Sequence, residues 1–231
     1  MAMIRPFARL TLSLKEISFF AGMAPSVLAR MEGQVYQREY GLRQVVFFPD
    51  DPCDFVYWVR KGRVRITRVS DDGRELSFRH AAPGDLFGEE CVVNRPRRDN
   101  YAEALRPTLL CLMRAADFRQ CVREEPVLSH RLAQYLCTRA IEAEQVLSEI
   151  VFCPVRRRVA AGLLRLWRRE GGQAGSTLQL THQELANLIG STRETTTATL
   201  HALRKEGIVE LANRRVVIRD AAALEHVVRN G

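Results

Sequence analysis

The spacing of apolar residues divides the chain into segments of different secondary structure. Between about residues 12 and 40, apolar side chains recur at helical intervals, which predicts helix with a break near Gly22. From Gly41 to about Met113 the pattern changes to short runs of β-branched, aromatic and aliphatic residues, separated by turn signals. The strands predicted there are 45–48, 55–59, 64–67, 76–78 and 109–112. Such strands, at intervals of about ten residues and without long helices between them, predict a β-sandwich or barrel.

A single long helix is predicted from Pro126 to Phe152, because proline suits a first turn and the following apolar residues keep a near-heptad spacing. Pro154 ends it, since the residue before a proline disfavours helical geometry. The apolar seam fits either packing on the helix's own domain or pairing with a second copy of the chain, and the spacing favours pairing. The seam residues are Leu132, Leu136, Ala140, Ala143, Leu147 and Ile150.

Two short helices joined by a glycine-containing turn are predicted between residues 181 and 207. Thr181 followed by Glu184 is a capping box, which begins the first helix. Gly190 suits the left-handed backbone that ends this helix, and Thr192 can cap the second one. This arrangement is the helix-turn-helix motif.

The start of the second helix carries an unusual set of polar residues. Arg193 and Glu194 precede three consecutive threonines, 195–197, although β-branched threonine lowers helix propensity. In a DNA major groove, arginine can pair with guanine, glutamate can accept from cytosine, and threonine can meet a thymine methyl group or a phosphate. The alternative is an ordinary polar helix face, but the turn, the caps and the basic surroundings favour DNA contacts.

The positive charge of the chain is concentrated in its C-terminal third. The formal net charge is +8 and the isoelectric point about 9.6. Residues 153–231 carry 13 Lys and Arg against 7 Asp and Glu, whereas residues 1–152 carry 22 against 20. A basic amphipathic helix is predicted over 155–170, and a β-hairpin after the second helix places Arg214 and Arg215 at its tip. These arginines suit DNA phosphates, although a hairpin tip is also often basic for solubility alone.

Cysteine spacing and the lack of several motifs exclude other classes of protein. None of the six cysteines forms a C-x-x-C pair, so we predict no metal site, and we expect reduced, mostly buried thiols in a cytoplasmic protein. No signal peptide and no run of about 18 apolar residues is found, so no membrane partner is expected. No P-loop, H-E-x-x-H or G-x-S-x-G motif occurs, so we predict no catalytic residues and no enzyme.

Two motifs resemble the cyclic-AMP receptor protein/FNR family of bacterial transcription regulators. The sequence T-x-Q-E-L-A-x-L-I-G-S-T-R-E-T covers residues 181–195, and P-G-D-L-F-G-E covers residues 83–89, with Arg98 following. The resemblance extends over nearly the whole chain and implies an α+β fold. Its implied parts are an antiparallel β-roll sensor resembling the cyclic-nucleotide-binding jelly roll (1–125), a dimerisation helix (126–152) and a winged helix-turn-helix (153–231).

The resemblance also implies partners and DNA-contacting residues. The implied partners are double-stranded DNA with a roughly palindromic site, a second copy of the chain, and RNA polymerase. Relatives of the cyclic-AMP type usually have an arginine where this chain has Ala198, so we expect a different DNA site. The implied base-reading residues are Arg193, Glu194, Thr197 and Ala198. Backbone contacts are expected from Thr181, His182, Gln183, Thr192, Thr195, Arg214 and Arg215.

For the sensor, the resemblance implies an effector pocket without naming the effector. Gly88, Glu89 and Arg98 match the positions that hold the ribose and phosphate in cyclic-nucleotide members, but Asp99 would repel a phosphodiester. The positions near the base are occupied by Ala143 and Glu144.

Cyclic nucleotide and haem both stay open as cofactors, as do a redox-active cysteine and other small effectors. Haem would need an axial ligand such as His80 or Cys91, whereas an iron–sulfur cluster would need closely spaced cysteines before Cys53, and there are none.

The sequence as a whole predicts a homodimeric, sequence-specific DNA-binding regulator. We expect its recognition helices to sit about 34 Å apart, in successive major grooves. The sensor would shift their spacing through a hinge at residues 152–154 by favouring one of two arrangements. The alternative is a ligand-sensing module that uses its winged helix for protein contacts.

Overall fold

A computed structural model describes residues 8–9, 13–73, 75–93, 95–173 and 175–230 of the chain. The chain divides into two compact units, residues 1–74 with 78–139 and residues 75–77 with 140–231. No helix within the described residues combines the length and apolar character needed to span a bilayer.

The N-terminal half is built on two β-sheets, as the short alternating runs predict. The larger sheet has the order β1-β2-β9-β4-β7 and the smaller one β3-β8-β5-β6. Apolar residues from both sheets, among them Val59, Ile66 and Leu112, share one buried cluster, which is the two-layer packing of a β-roll. The strands are β1 (Ala8–Arg9), β2 (Val35–Tyr40), β3 (Val45–Phe47), β4 (Phe55–Lys61), β5 (Val64–Val69), β6 (Glu75–Ala81), β7 (Leu86–Phe87), β8 (Tyr101–Ala104) and β9 (Thr108–Arg114).

The segment before β2 is less helical than its apolar spacing predicts. Two single 3-10 turns, Leu14–Glu16 and Ser18–Phe20, precede helix α1 (Pro25–Glu32), and Gly22 supports the predicted break with a φ of 79°. The prediction of helix up to residue 40 is wrong, because β2 pairs along its whole length with β9. Residue 12, where the prediction begins, lies outside the described residues.

Two helices follow β9, namely α2 (Ala115–Glu124) and α3 (Pro126–Phe152). The bounds of α3 confirm the predicted long helix. In the first unit, Phe118 of α2 packs edge-on against the fully buried Trp58, and Leu128 of α3 joins the same core.

The second unit combines helices with a three-stranded antiparallel sheet of order β10-β12-β11. Its core brings α4 so close to α5 that a Cβ atom on Gly162 would lie 2.9 Å from Cγ2 of Ile189. The bounds of α4 confirm the predicted basic helix. The elements are α4 (Val155–Arg169), β10 (Thr177–Gln179), α5 (His182–Ile189), α6 (Arg193–Lys205), β11 (Val209–Ala212), β12 (Arg215–Ile218) and α7 (Ala221–Asn230).

Candidate nucleic-acid interface and effector site

Helix α5 begins and ends with the predicted capping residues. The Thr181 hydroxyl accepts from the Glu184 backbone N–H at 3.1 Å, and the Thr181 N–H donates to the Glu184 carboxylate at 2.6 Å. Gly190 ends the helix with φ 61° and ψ 48°, in the left-handed region. The capping box and the glycine turn are therefore confirmed.

Helix α6 is held by one apolar face and leaves its other face outside. Thr192 caps it by accepting from the Thr195 N–H at 3.2 Å. Leu200 and Leu203 are fully buried in the core of the second unit. On the opposite side Arg193, Glu194 and Ala198 are exposed, and Thr197 is half-buried. The four predicted base-reading residues thus lie within two turns at the start of a firmly anchored helix.

The three consecutive threonines do not all lie on the outer face. Thr196 is 0% exposed, whereas Thr195 is exposed. The interpretation of residues 195–197 as one contact surface is therefore wrong at its middle position, because successive helical residues point about 100° apart.

His182 lies beside the base-reading residues. Its Nδ1 is 2.9 Å from Oγ1 of Thr197, and its ring centroid is 6.3 Å from that of His201. Partial burial, followed by the charges of His201 and Arg193, lowers the pKa of His182 below its ordinary value. The imidazole is therefore mainly neutral at pH 7.

The predicted phosphate-contacting residues cluster at helix starts and at the hairpin tip. Thr181, His182 and Gln183 lie at the start of α5, and Thr192 and Thr195 at the start of α6, and the N-terminal end of a helix favours anions.

The wing of the motif is the β11–β12 hairpin. Arg214 has a φ of 54° in its turn, and Arg215 opens β12. Both side chains are exposed, as phosphate contacts would require.

In the sensor, Arg98 is buried and already partnered. Its side chain is 1% exposed, and Nη1 donates to the Glu90 carboxylate at 2.8 Å. Nη2 donates to the Phe55 carbonyl, and the guanidinium lies 4.1 Å from the ring centroid of Phe47. Sequence reasoning missed Glu90, since nothing in its local pattern indicates which arginine it pairs with.

Glu89 is engaged by a second buried arginine, Arg79. Arg79 Nη2 lies 3.2 Å from the Glu89 carboxylate and donates to the Leu86 carbonyl at 2.7 Å. Nη1 donates to the Tyr135 hydroxyl of α3 at 2.6 Å. Sequence reasoning also missed Arg79 and Tyr135, because no local pattern links an arginine of β6 to a tyrosine of α3.

Gly88 and Asp99 are the other predicted pocket residues near Arg98. A Cβ on Gly88, whose φ is 77°, would lie 2.8 Å from Arg98 Nη1, so the position needs glycine. The Asp99 carboxylate pairs with Arg95 and lies 3.5 Å from Arg68 Nη2, both on the surface. Asp99 is therefore tied to exposed arginines, which weakens the expectation that it repels a phosphate at Arg98.

The remaining predicted pocket residues, Ala143 and Glu144, are exposed on α3. They belong to the second compact unit, whereas Gly88, Glu89 and Arg98 belong to the first.

The expectation of six reduced thiols is wrong for one pair. Cys53 and Cys91 form a disulfide, with Cα atoms 5.2 Å apart and a sequence separation of 38. A carboxylate oxygen of Glu90 lies within 4.8 Å of the two sulfur atoms. As a disulfide, Cys91 offers no thiolate to a haem. His80, the other candidate axial ligand, is buried.

The other four cysteines are free: Cys111 and Cys121 are buried, Cys153 is half-buried and Cys137 is exposed. Burial raises the pKa of the Cys111 thiol to about 11. It also raises the pKa of the Cys121 thiol. Both are therefore poor nucleophiles at neutral pH.

The predicted seam of α3 is mostly exposed. Leu136, Ala140, Ala143 and Leu147 are exposed, and Ile150 is half-buried. Leu132 differs, because it is 5% exposed and packs in the core of the first unit. The prediction that Leu132 belongs to the dimer seam is therefore wrong, because its side chain is part of the core of its own unit. The helix also exposes apolar side chains that the heptad prediction missed, namely Ile141, Val151 and Phe152.

A β-roll sensor followed by a long helix and a winged helix-turn-helix defines a class of sensor-controlled transcription regulators. The family models agree: a cyclic nucleotide-binding domain matches residues 37–125, and a Crp-like helix-turn-helix domain matches residues 157–227. The chain belongs to the CRP/FNR family of DNA-binding transcription regulators.

Three relatives illustrate the breadth of the match. The cyclic AMP receptor protein of Thermus thermophilus is 34% identical over 93% of this chain and 98% of its own length. The global nitrogen regulator of a Synechocystis strain is 30% identical over 78% of this chain and 83% of its own. The crystal structure of a CRP/FNR transcriptional regulator from Thermus thermophilus has a TM-score of 0.69 at 28% identity, covering 84% and 98% of the two chains.

Proposed function

We propose that the protein acts as a homodimer that reads a roughly palindromic site in double-stranded DNA. The observation that carries this proposal is the geometry of α6. Leu200 and Leu203 anchor its inner face in the core, while Arg193 and Glu194 are exposed on the opposite side.

Each base-reading residue has a separate role. Arg193 pairs with a guanine, and Glu194 accepts from a cytosine amino group. Thr197, held near His182, and the methyl group of Ala198 contact the next base pair. Because Ala198 offers no hydrogen bond, each half-site has only one arginine-read guanine from this helix, and the consensus differs there from sites read by two arginines.

Phosphate contacts position the helix in the groove. The starts of α5 and α6 supply backbone N–H groups and the side chains of Thr181, His182, Gln183, Thr192 and Thr195. Arg214 and Arg215 supply positive charge from the wing. This arrangement predicts binding that weakens steeply with salt.

Dimerisation proceeds through α3. Leu136 and Leu147 are exposed at 41% and 62% and lie on one face of the helix, because they are about three turns apart; a second copy of the helix would cover them. The homodimer explains why the DNA site is palindromic. A cytoplasmic location and contact with RNA polymerase belong to the same proposal.

The sensor's internal ion pairs bear on the effector. A cyclic nucleotide would have to displace Glu90 from Arg98 and Arg79 from Glu89. The names of the relatives point both to cyclic AMP and to nitrogen control, so we propose an allosteric effector without restricting it to a cyclic nucleotide. Calorimetric titration of the purified protein with cyclic AMP and cyclic GMP tests that part.

Selection of binding sites from random duplex DNA tests the DNA function. Arg193→Ala should relax the preference at one G·C pair in each half-site and cost roughly 1–3 kcal/mol of discrimination. Arg204→Ala, which changes an exposed arginine in the last turn of the same helix, is the matched control and should keep the consensus. An unchanged consensus with Arg193→Ala contradicts the assigned role. Failure to enrich any sequence at low salt favours a module that contacts protein instead.

A further inference from the structure

The disulfide between Cys53 and Cys91 joins two segments that surround the buried arginines of the sensor. Cys53 lies in the loop before β4, and its N–H donates to the Pro96 carbonyl at 3.2 Å. Cys91 lies in the single helical turn Glu89–Val93. A Cα separation of 5.2 Å lies within the range that disulfides adopt, so the backbone is already placed for the two sulfur atoms to join or part.

The turn that carries Cys91 connects to helices α2 and α3. Arg119 of α2 donates to the Cys91 carbonyl at 2.7 Å. Glu89 of the same turn is held by Arg79, which donates to the Tyr135 hydroxyl of α3. Movement of this turn therefore changes contacts on the helix that continues toward the DNA-binding part of the chain.

We propose that Cys53 and Cys91 form a reversible redox switch, in which oxidation fixes the turn Glu89–Val93 and changes the affinity of the protein for DNA. The DNA-linked half of this inference rests on the proposed function, whereas the redox chemistry of the pair does not. A protein in a reducing compartment would carry two thiols here and would form the bond on exposure to an oxidant.

The oxidant class is a hydroperoxide, and the chemistry proceeds in two steps. The thiolate of Cys53, which is 8% exposed against 0% for Cys91, attacks a peroxide oxygen. The O–O bond breaks, and hydrogen peroxide yields a sulfenic acid at Cys53 and one water after proton transfer. The Cys91 sulfur then attacks the sulfenic sulfur, the S–S bond forms, and hydroxide leaves with the thiol proton as a second water. Two thiols lose two electrons, which the peroxide gains, and a reducing dithiol reverses the change.

The same side chains offer a metal site as the competing interpretation, since sulfur atoms of Cys53 and Cys91 and a carboxylate oxygen of Glu90 all lie within 4.8 Å of one another. However, Glu90 is engaged by Arg98 at 2.8 Å. With Glu90 engaged, only the two thiolates would be available to a metal ion, whereas structural and catalytic zinc sites both take at least three protein ligands. The observations therefore favour redox chemistry.

Alkylation and peptide mass spectrometry of the full-length protein test the pairing. After reduction with dithiothreitol both thiols should be alkylated, and after treatment with hydrogen peroxide a peptide linked through Cys53 and Cys91 should replace them. The control Cys137→Ser removes an exposed free thiol and should leave the linkage unchanged. The proposal is overturned if both thiols remain alkylatable after peroxide, or if the reduced protein retains one zinc ion that protects them.

Fluorescence anisotropy with a duplex selected by the reduced protein tests the switch. The Kd should differ by at least about fivefold between the reduced and oxidised wild-type protein, the lower end of common allosteric couplings. Cys53→Ser and Cys91→Ala should each keep the Kd of the reduced protein under reducing and oxidising conditions. The two positions differ in burial, so if one variant misfolds, the other still tests the switch.

Equal Kd values in the two states, with the disulfide shown to be present, would overturn the switch. If neither the reduced nor the oxidised protein enriches any duplex during selection, the proposed function is refuted together with the DNA-linked half of this inference. Mass spectrometry tests separately whether Cys53 and Cys91 form a reversible disulfide.

Discussion

Replacing Glu90 by glutamine removes the charge that compensates the buried Arg98. The arginine side chain is 1% exposed, whereas that of Glu90 is 24% exposed, so the unpaired charge after substitution is the buried one. Breaking a buried pair by removing one partner typically costs about 3–5 kcal/mol.

The expected loss is smaller than that range for structural reasons. Arg98 keeps its hydrogen bond to the Phe55 carbonyl and its contact with the Phe47 ring at 4.1 Å. The glutamine amide oxygen can also still accept from the guanidinium. We therefore expect the first unit to lose about 2 kcal/mol of unfolding free energy, somewhat below the usual cost of a broken buried pair.

Urea unfolding followed by tryptophan fluorescence measures this loss. Trp58 is fully buried in the first unit, and Trp167→Phe removes the other tryptophan from the signal. With a slope of roughly 1–3 kcal/mol per molar urea, the midpoint should fall by about 1 M.

Asp99→Asn is the matched control, because its carboxylate is 44% exposed and pairs with surface arginines. Exposed pairs contribute roughly 0–1 kcal/mol. A midpoint for Glu90→Gln no lower than that of Asp99→Asn would show that the buried Arg98 does not depend on the charge of Glu90, and would refute the reasoning.

Three further predictions concern the second unit and the dimer. Gly162→Ala should lower the unfolding midpoint of the second unit. A Cβ atom 2.9 Å from Ile189 costs about 1–3 kcal/mol by overpacking, which is more than the roughly 1 kcal/mol that alanine gains in helix propensity. A raised midpoint would contradict the close approach of the two helices. Because the pKa of His182 is lowered, the folded protein keeps its stability above the ordinary histidine pKa of 6.5 and loses stability as pH falls below that value. Phosphates of bound DNA favour the protonated ring, so DNA affinity should rise as pH falls. His182→Gln should flatten that dependence in a pH series of anisotropy titrations, and an equally steep profile in the variant would refute it. Leu147→Glu should shift the protein toward monomer in analytical ultracentrifugation, because it places a charge in the apolar seam. Ser148→Glu adds the same charge at the neighbouring exposed position and serves as the control; equal dimer fractions for the two variants would count against the seam.

Local sequence patterns were sufficient to predict those elements whose structure depends only on residues close together in the sequence. The period of apolar residues located five strands and the body of α3, since helical and strand periodicity depend only on neighbours in sequence. Pro126 and Pro154 located the two ends of α3. The caps at Thr181 and Thr192 and the left-handed Gly190 located the helix-turn-helix, because caps satisfy backbone groups within three or four residues.

Only the tertiary structure decided which distant residues meet. Nothing in the sequence indicates that Cys53 lies against Cys91, at a sequence separation of 38, or that Glu90 holds Arg98 while Arg79 holds Glu89. The same holds for the strand at 35–40, whose apolar spacing fitted a helix until pairing with β9 satisfied its backbone. Periodicity records which face of an element is apolar, whereas pairing between charges, thiols and strand edges depends on where the chain returns in space, and that is set by the packing of the whole unit.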